Sequence, residues 1–124
     1  MVATTEQPGD GQRAAAISSA IGGLHREFYG HGAARTRTVM GGDYVACFLE
    51  DIYTPLERTL IDAGRFQAVR TQRQAFQQTM RGKFTNAVEE LTGREVVAFL
   101  SESHLDPDLS VETFILRPTT ATAV

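Results

Sequence analysis

The chain has 124 residues, 42% of them apolar, and 15 acidic against 12 basic side chains give it a formal charge of −3. That length makes one domain with one modest core, and the mild acidity argues against a dedicated nucleic-acid binder while leaving room for a local basic patch. The single cysteine, Cys47, excludes a disulfide within the chain, and no apolar run approaches the ~20 residues of a membrane span, so the expected setting is the cytoplasm, without direct membrane insertion.

Residues 1–10 are polar with Pro and Gly and read as a disordered lead-in, with neither the basic nor the apolar region of a signal peptide. Residues 11–118 read as a single domain and residues 119–124 as a flexible tail. A first helix is predicted from about Gln12 to Phe28, because Ala14, Ile17, Ile21, Leu24 and Phe28 recur at spacings of three and four. His25 falls beside this stripe and is expected at the surface. The bend "YGHGAA" stops the helix, with Gly30 and Gly32 as stop signals.

A hairpin follows. "ARTRTVM" is a polar strand with Arg35, Arg37 and Val39 on one face, suited to a sheet edge, "GGD" is the turn, and "YVACFL" is an apolar, central strand carrying Cys47 as a small core residue. "TPLE" (54–57) is a helix start: Thr54 caps, Pro55 suits the first position and Glu57 completes a capping box. Leu56 and Leu60 are expected to face inward from this short helix, which ends near Gly64. A long helix then runs from about Arg65 to Leu91. Its stripe is Phe66, Val69, Phe76, Met80, Phe84, Val88 and Leu91, with Arg73 falling among the apolar members and Gly82 interrupting them. "EVVAFL" and "SVETFIL" make a second hairpin around "SESHLDPD". The order α-β-β-α-α-β-β predicts an α+β fold, a four-stranded antiparallel sheet with helices packed on one face.

The long helix would measure ~40 Å at 1.5 Å per residue, whereas strands of six or seven residues span ~20–23 Å. The overhang predicts either a bend of the helix near Gly82 or, as the favoured answer, a second copy covering Phe66, Val69, Arg70, Arg73 and Phe76, which makes the protein a homodimer.

Candidate sites are few. "SESHLDPD" holds four ligand-type side chains, Glu102, His104, Asp106 and Asp108, but follows no zinc or EF-hand spacing, and Asp-Pro-Asp is turn chemistry. It reads as a polar hairpin loop, and no metal or other cofactor is expected. "YGHGAARTR" gathers Tyr29, His31, Arg35 and Arg37 around a glycine bend and is a candidate anion site through bidentate arginine contacts; its position after a helix C-terminus is the wrong dipole end for an anion. Glu50 and Asp51, adjacent on a strand, point apart and read as turn residues rather than an acid–base pair. Arg65, Arg70, Arg73, Arg81 and Lys83 give the long helix a basic character that fits a solvated face or partner contact better than nucleic acid. No nucleophile–base–orienting set is visible, so an enzyme finds no positive support.

The order of "EFYGHGAART", "DYVACFLEDIYTPLERTLIDAG", the long helix, "AVEELTGREVVAFLSESHLDPD" and "VETFILRP" resembles the MpsC-like family over about residues 12–118. The resemblance implies a soluble component linked to a membrane-potential-generating, cation-translocating system with separate membrane subunits, and it carries no catalytic residues onto this chain. Where the family pattern has Lys or Arg and then Gly-Pro after "YG", this chain has His31, Gly32 and Ala33. The first functional expectation is therefore a non-enzymatic accessory protein, a homodimer that binds a partner such as a membrane complex. The alternatives are a sensor of a small anionic ligand or nucleotide using residues 29–37, and an RNA binder using the long basic helix.

Overall fold

The computed structural model of the chain describes residues 9–119. The first helix, α1 (Asp10–Tyr29), stops at Gly30, whose φ of 81° lies in the left-handed region that glycine tolerates. Strands β1 (Arg35–Met40) and β2 (Tyr44–Glu50) form one hairpin, helices α2 (Pro55–Asp62) and α3 (Phe66–Thr92) follow, and β3 (Val96–His104) and β4 (Leu109–Leu116) form the second hairpin. The strands make one antiparallel sheet in the order β1-β2-β4-β3, so the α+β class and the element order expected from the sequence hold. β1 is an edge strand and β2 an interior one, as their polarity suggested. The expected lead-in and tail lie outside the described residues except for Gly9, Asp10 and Thr119, and Asp10 already belongs to α1.

Strand alternation sends Val45, Cys47 and Leu49 of β2, Phe114 and Leu116 of β4 and Phe99 of β3 toward the helices. α1 lies over β1 and β2. There Ser18 and Thr38 share a 2.7 Å hydroxyl hydrogen bond, and Gly22 lets the helix approach so closely that a Cβ would stand 3.2 Å from the Thr36 hydroxyl. α3 lies over β3 and buries Met80, Phe84 and Val88.

Four local readings are corrected. From Ile21 the buried line of α1 steps four residues to His25 rather than three to Leu24, so His25 is buried and Phe28 is exposed; the choice follows the polar partners described below. On α2 the inward residue is Glu57, and Leu56 is 64% exposed, because the capping carboxylate also serves an arginine in the interior. "SESHLDPD" is only half a loop: Ser101–His104 continue β3, and residues 105–108 make the turn.

The fourth correction concerns helix length. α3 is one continuous helix through Gly82, and its first turns are covered by its own chain. Val69 is buried, Phe66 packs edge-on against Tyr53 with ring centres 6.1 Å apart, and Phe76 does so against Tyr29 at 4.6 Å. α1 and α2 fill the overhang that suggested a second copy.

The two hairpin-and-helix glycines Gly41 and Gly82 should respond oppositely to alanine. A Cβ at Gly82 meets open space, so Gly82→Ala should stabilise by about 1 kcal/mol and raise the thermal midpoint by several degrees. A Cβ at Gly41 would stand 2.0 Å from the edge of the Tyr44 ring, so Gly41→Ala should lower the midpoint in the same calorimetric comparison.

Candidate functional site

The interior of the helical end is ionic. Arg73, one turn after Val69 on the buried line of α3, meets Glu57 of α2 in a two-pronged pair: Nη2 to Oε1 at 2.6 Å and Nε to Oε2 at 2.9 Å, with both side chains 1% exposed. Nη2 also donates to the Ile52 carbonyl at 2.7 Å. The guanidinium lies over the rings of Tyr29 and Tyr53, 4.4 and 5.0 Å from their centres. Glu57 is the N3 residue of α2, so its Oε1 accepts from the Thr54 backbone N–H at 2.9 Å while its own N–H donates to the Thr54 hydroxyl at 3.0 Å. The Tyr29 hydroxyl donates to Oε2, and Gln72 donates to that hydroxyl at 2.7 Å. One carboxylate thus starts α2, neutralises α3 and holds the end of α1.

His25 completes the hub. Its Nδ1 lies 3.1 Å from the His31 carbonyl, so Nδ1 carries the proton, and the bare Nε2 faces Arg73 Nη1 at 3.4 Å. Burial, reinforced by the Arg73 charge, pushes His25 down to about 4 and keeps it neutral. Burial alone would raise Glu57, but the bonds from Arg73, Tyr29 and the Thr54 N–H outweigh it and hold the carboxyl below its ordinary range. Tyr29 is raised to about 12 by burial and by donating to Glu57. Both carboxylate oxygens and both ring nitrogens are engaged, so the cluster is built to hold rather than to move protons.

A second buried acid lies elsewhere. Glu112 of β4 is fully buried on the inner sheet face, and burial pushes it up to about 7. Its bond from the Gln77 amide is long, at 3.3 Å, and Oε1 has no partner. The nearby Ser101 hydroxyl favours the ionised form without making a hydrogen bond of regular geometry.

The residues expected to bind an anion are not brought together. His31 lines a groove of about 530 Å³ with Gly32, Ala34, Asp51, Tyr53, Pro55 and Arg58. Tyr29 turns away into the hub, Arg35 pairs with Glu50 at 2.8 Å, and the Arg37 guanidinium stacks over Phe48 at 4.9 Å, a residue on the sheet face opposite the helices. The set expected to face a partner also divides. Val69 and Arg73 are buried, Phe66 and Phe76 are half-buried, and Arg70 pairs with Glu102 at 2.8 Å. Arg73 is thus corrected from a solvated or partner-facing position to the centre of the hub. Its place among apolar residues was the one sequence signal for the site; nothing local marked Glu57, Tyr29 and His25 as its partners.

The ligand-type residues of "SESHLDPD" disperse. Asp108 accepts from the backbone N–H groups of Ile52 and Tyr53 and pairs with Arg58, fixing the β2–α2 connection, while His104 bonds within its own turn and Glu102 goes to Arg70. Among the described residues no three His, Cys, Asp or Glu side chains group to hold a metal, and no helix is long and apolar enough to cross a membrane.

What remains open is the outer sheet face. Cross-strand pairing places four residues in each of three rows: Arg35, Glu50, Leu109 and His104; Arg37, Phe48, Val111 and Glu102; Val39, Ala46, Thr113 and Leu100. Tyr44, Ile115 and Ala98 make a fourth row. Val39, Tyr44 and Leu100 are exposed, the last at 59%. The face is apolar in the middle, basic along β1 and mixed along β3.

Fold and site together define a small α+β protein with a locked polar interior and an uncovered sheet face. The family model described as "Na+-translocating membrane potential-generating system (MpsC)" matches residues 9–118, and the chain belongs to that family. No curated protein and no solved structure matches it.

Two predictions come from the buried groups. Arg73→Met leaves the Glu57 charge bare and should cost about 3–5 kcal/mol in urea unfolding; adding Glu57→Gln should recover part of that loss, because no unpaired charge then remains. The pH profile should be governed by two opposed groups. His25, lowered from 6.5 to about 4, loses stability as pH falls through that window, while Glu112, raised from 4.5 to about 7, loses it as pH rises through its own. Between pH 5 and 6.5 the two offset. Relative to the unchanged chain, His25→Gln should make stability fall with rising pH, and Glu112→Gln should make it climb, each by about 1 kcal/mol per pH unit in urea midpoints converted to free energy.

Proposed function

We propose that this protein is a non-enzymatic, cytoplasmic accessory component of a cation-translocating, membrane-potential-generating system, and that it works as a homodimer closed over the outer sheet faces. The observation that carries the reading is the uncovered apolar face itself, on a protein whose buried hub has no free acid or base. The family description supports the membrane system as the setting.

A second copy suits the face in area and in charge. Four strands ~4.8 Å apart and ~25 Å long present roughly 480 Å² per copy, so a pair would bury about 1,000 Å², the lower end of specific interfaces. A two-fold axis parallel to the strands lays β1 of one copy over β3 of the other. The row of Arg37 in one copy then overlies the row of Glu102 in the other, where Glu102 would have to exchange its own chain's Arg70 for the new partner, and the apolar rows meet at the centre.

Light scattering on a size-exclusion column should give twice the 13.6 kDa chain mass at tens of micromolar. Leu100→Glu should reduce it to a single chain while leaving the circular dichroism spectrum and thermal midpoint near those of the parent. A parent that runs as a single chain, or a Leu100→Glu dimer, would sink the assembly.

A further inference from the structure

Four of the five buried side-chain atoms without a hydrogen-bond partner, among the described residues, belong to one patch: Ser101 Oγ, Ser103 Oγ, Ser110 Oγ and Glu112 Oε1. Register explains the clustering. Ser101 lies opposite Glu112 and Ser103 opposite Ser110, so the four form a two-by-two block on the inner face of β3 and β4. Each hydroxyl or carboxylate oxygen buried this way without a partner is destabilising, and register puts the four in one block.

We propose that this block is a binding site for a hard monovalent metal cation, with the Glu112 carboxylate and the hydroxyls of Ser101, Ser103 and Ser110 as its oxygen ligands. The chemistry of the donors selects the class. All are hard oxygens, which excludes metals that seek nitrogen or sulfur. Cys47 lies opposite Glu112 on β2, but burial raises its thiol to about 11, so it stays protonated and does not ligate. A single carboxylate supplies one negative charge, which balances an alkali ion, whereas calcium sites draw on several carboxylates. Among the described residues no arginine or lysine bonds to Glu112: Arg73 is committed to Glu57, Gln77 brings only a neutral amide, and Arg81, in the adjoining groove, is exposed.

A route exists. A groove of about 400 Å³ between α3 and β3 is lined by Gln74, Gln77, Gln78, Arg81, Phe99 and Ser101, and two of these, Gln77 and Ser101, adjoin Glu112. Arg81 is exposed beside it and opposes cation entry. The site is separate from the outer sheet face, so it does not depend on the proposed assembly.

Thermal unfolding of the full chain at pH 8 and constant ionic strength tests it, comparing lithium, sodium and potassium chloride with N-methylglucamine chloride. At least one alkali ion should raise the midpoint by several degrees over the organic cation, saturably. The rise should shrink at pH 5.5, where a proton occupies Glu112, vanish in Glu112→Gln, and persist or grow in Arg81→Gln. Equal midpoints in all four salts would overturn the site, as would a metal-specific rise that survives Glu112→Gln or is lost in Arg81→Gln. If Glu112→Gln fails to fold, Ser101→Ala decides: it should raise the half-saturating concentration severalfold, and an unchanged value overturns the proposal.

Discussion

A guanidinium and a carboxylate placed where water cannot reach must satisfy each other almost completely, and the pair Arg73–Glu57 imposes that demand on the rest of the helical end. Each partner needs several bonds in fixed directions. Arg73 draws in the Ile52 carbonyl and the faces of Tyr29 and Tyr53; Glu57 draws in Tyr29 and the first turn of its own helix. The elements that supply these atoms are α1, the β2–α2 connection, α2 and α3. Their mutual placement is a consequence of closing one ion pair. An apolar core would tolerate small slides between the same helices, whereas a two-pronged pair with directed bonds on every side does not.

The same constraint decides which residues are left to face other molecules. Tyr29 and Arg73, which look like binding residues in a sequence, are consumed by the hub, and Arg35 is held by Glu50. The helices lie on one side of the sheet because α1 and α3 must converge on the hub, and that convergence leaves the opposite side bare. An uncovered face carrying Val39, Tyr44 and Leu100 is the counterpart of a saturated hub. The family description, a Na+-translocating membrane potential-generating system, is a setting in which such a face has other components to meet.

The fold was largely legible because its signals are local. The "TPLE" cap is present with both reciprocal bonds, and the glycine stops at Gly30 and Gly93 take left-handed conformations. The site was not legible, for a physical reason that recurs at each missed residue. His25, Glu57 and Glu112 are polar side chains buried by partners distant in the chain, and a pattern that equates polar with exposed assigns each to the wrong place. Leu56 makes the converse error, an apolar residue left outside because its neighbour's carboxylate has to point in. Helix length misled in the same way: the strands run to nine and eight residues in β3 and β4, and α1 and α2 cover what a lone sheet would not.

The two buried glutamates show how far burial alone is from a functional statement. Glu57 receives bonds from Arg73, Tyr29 and the Thr54 N–H, and these hold its carboxyl below the ordinary range, charged at neutral pH. Glu112 receives one long amide bond and lies among three hydroxyls without partners. Both are equally dry, yet one is a finished structural element and the other has ligand atoms to spare. A carboxylate in that condition must take up a proton or a metal ion from solvent to relieve its charge. The β3–β4 face therefore differs in kind from the hub, because its stability depends on what the surrounding solution contains.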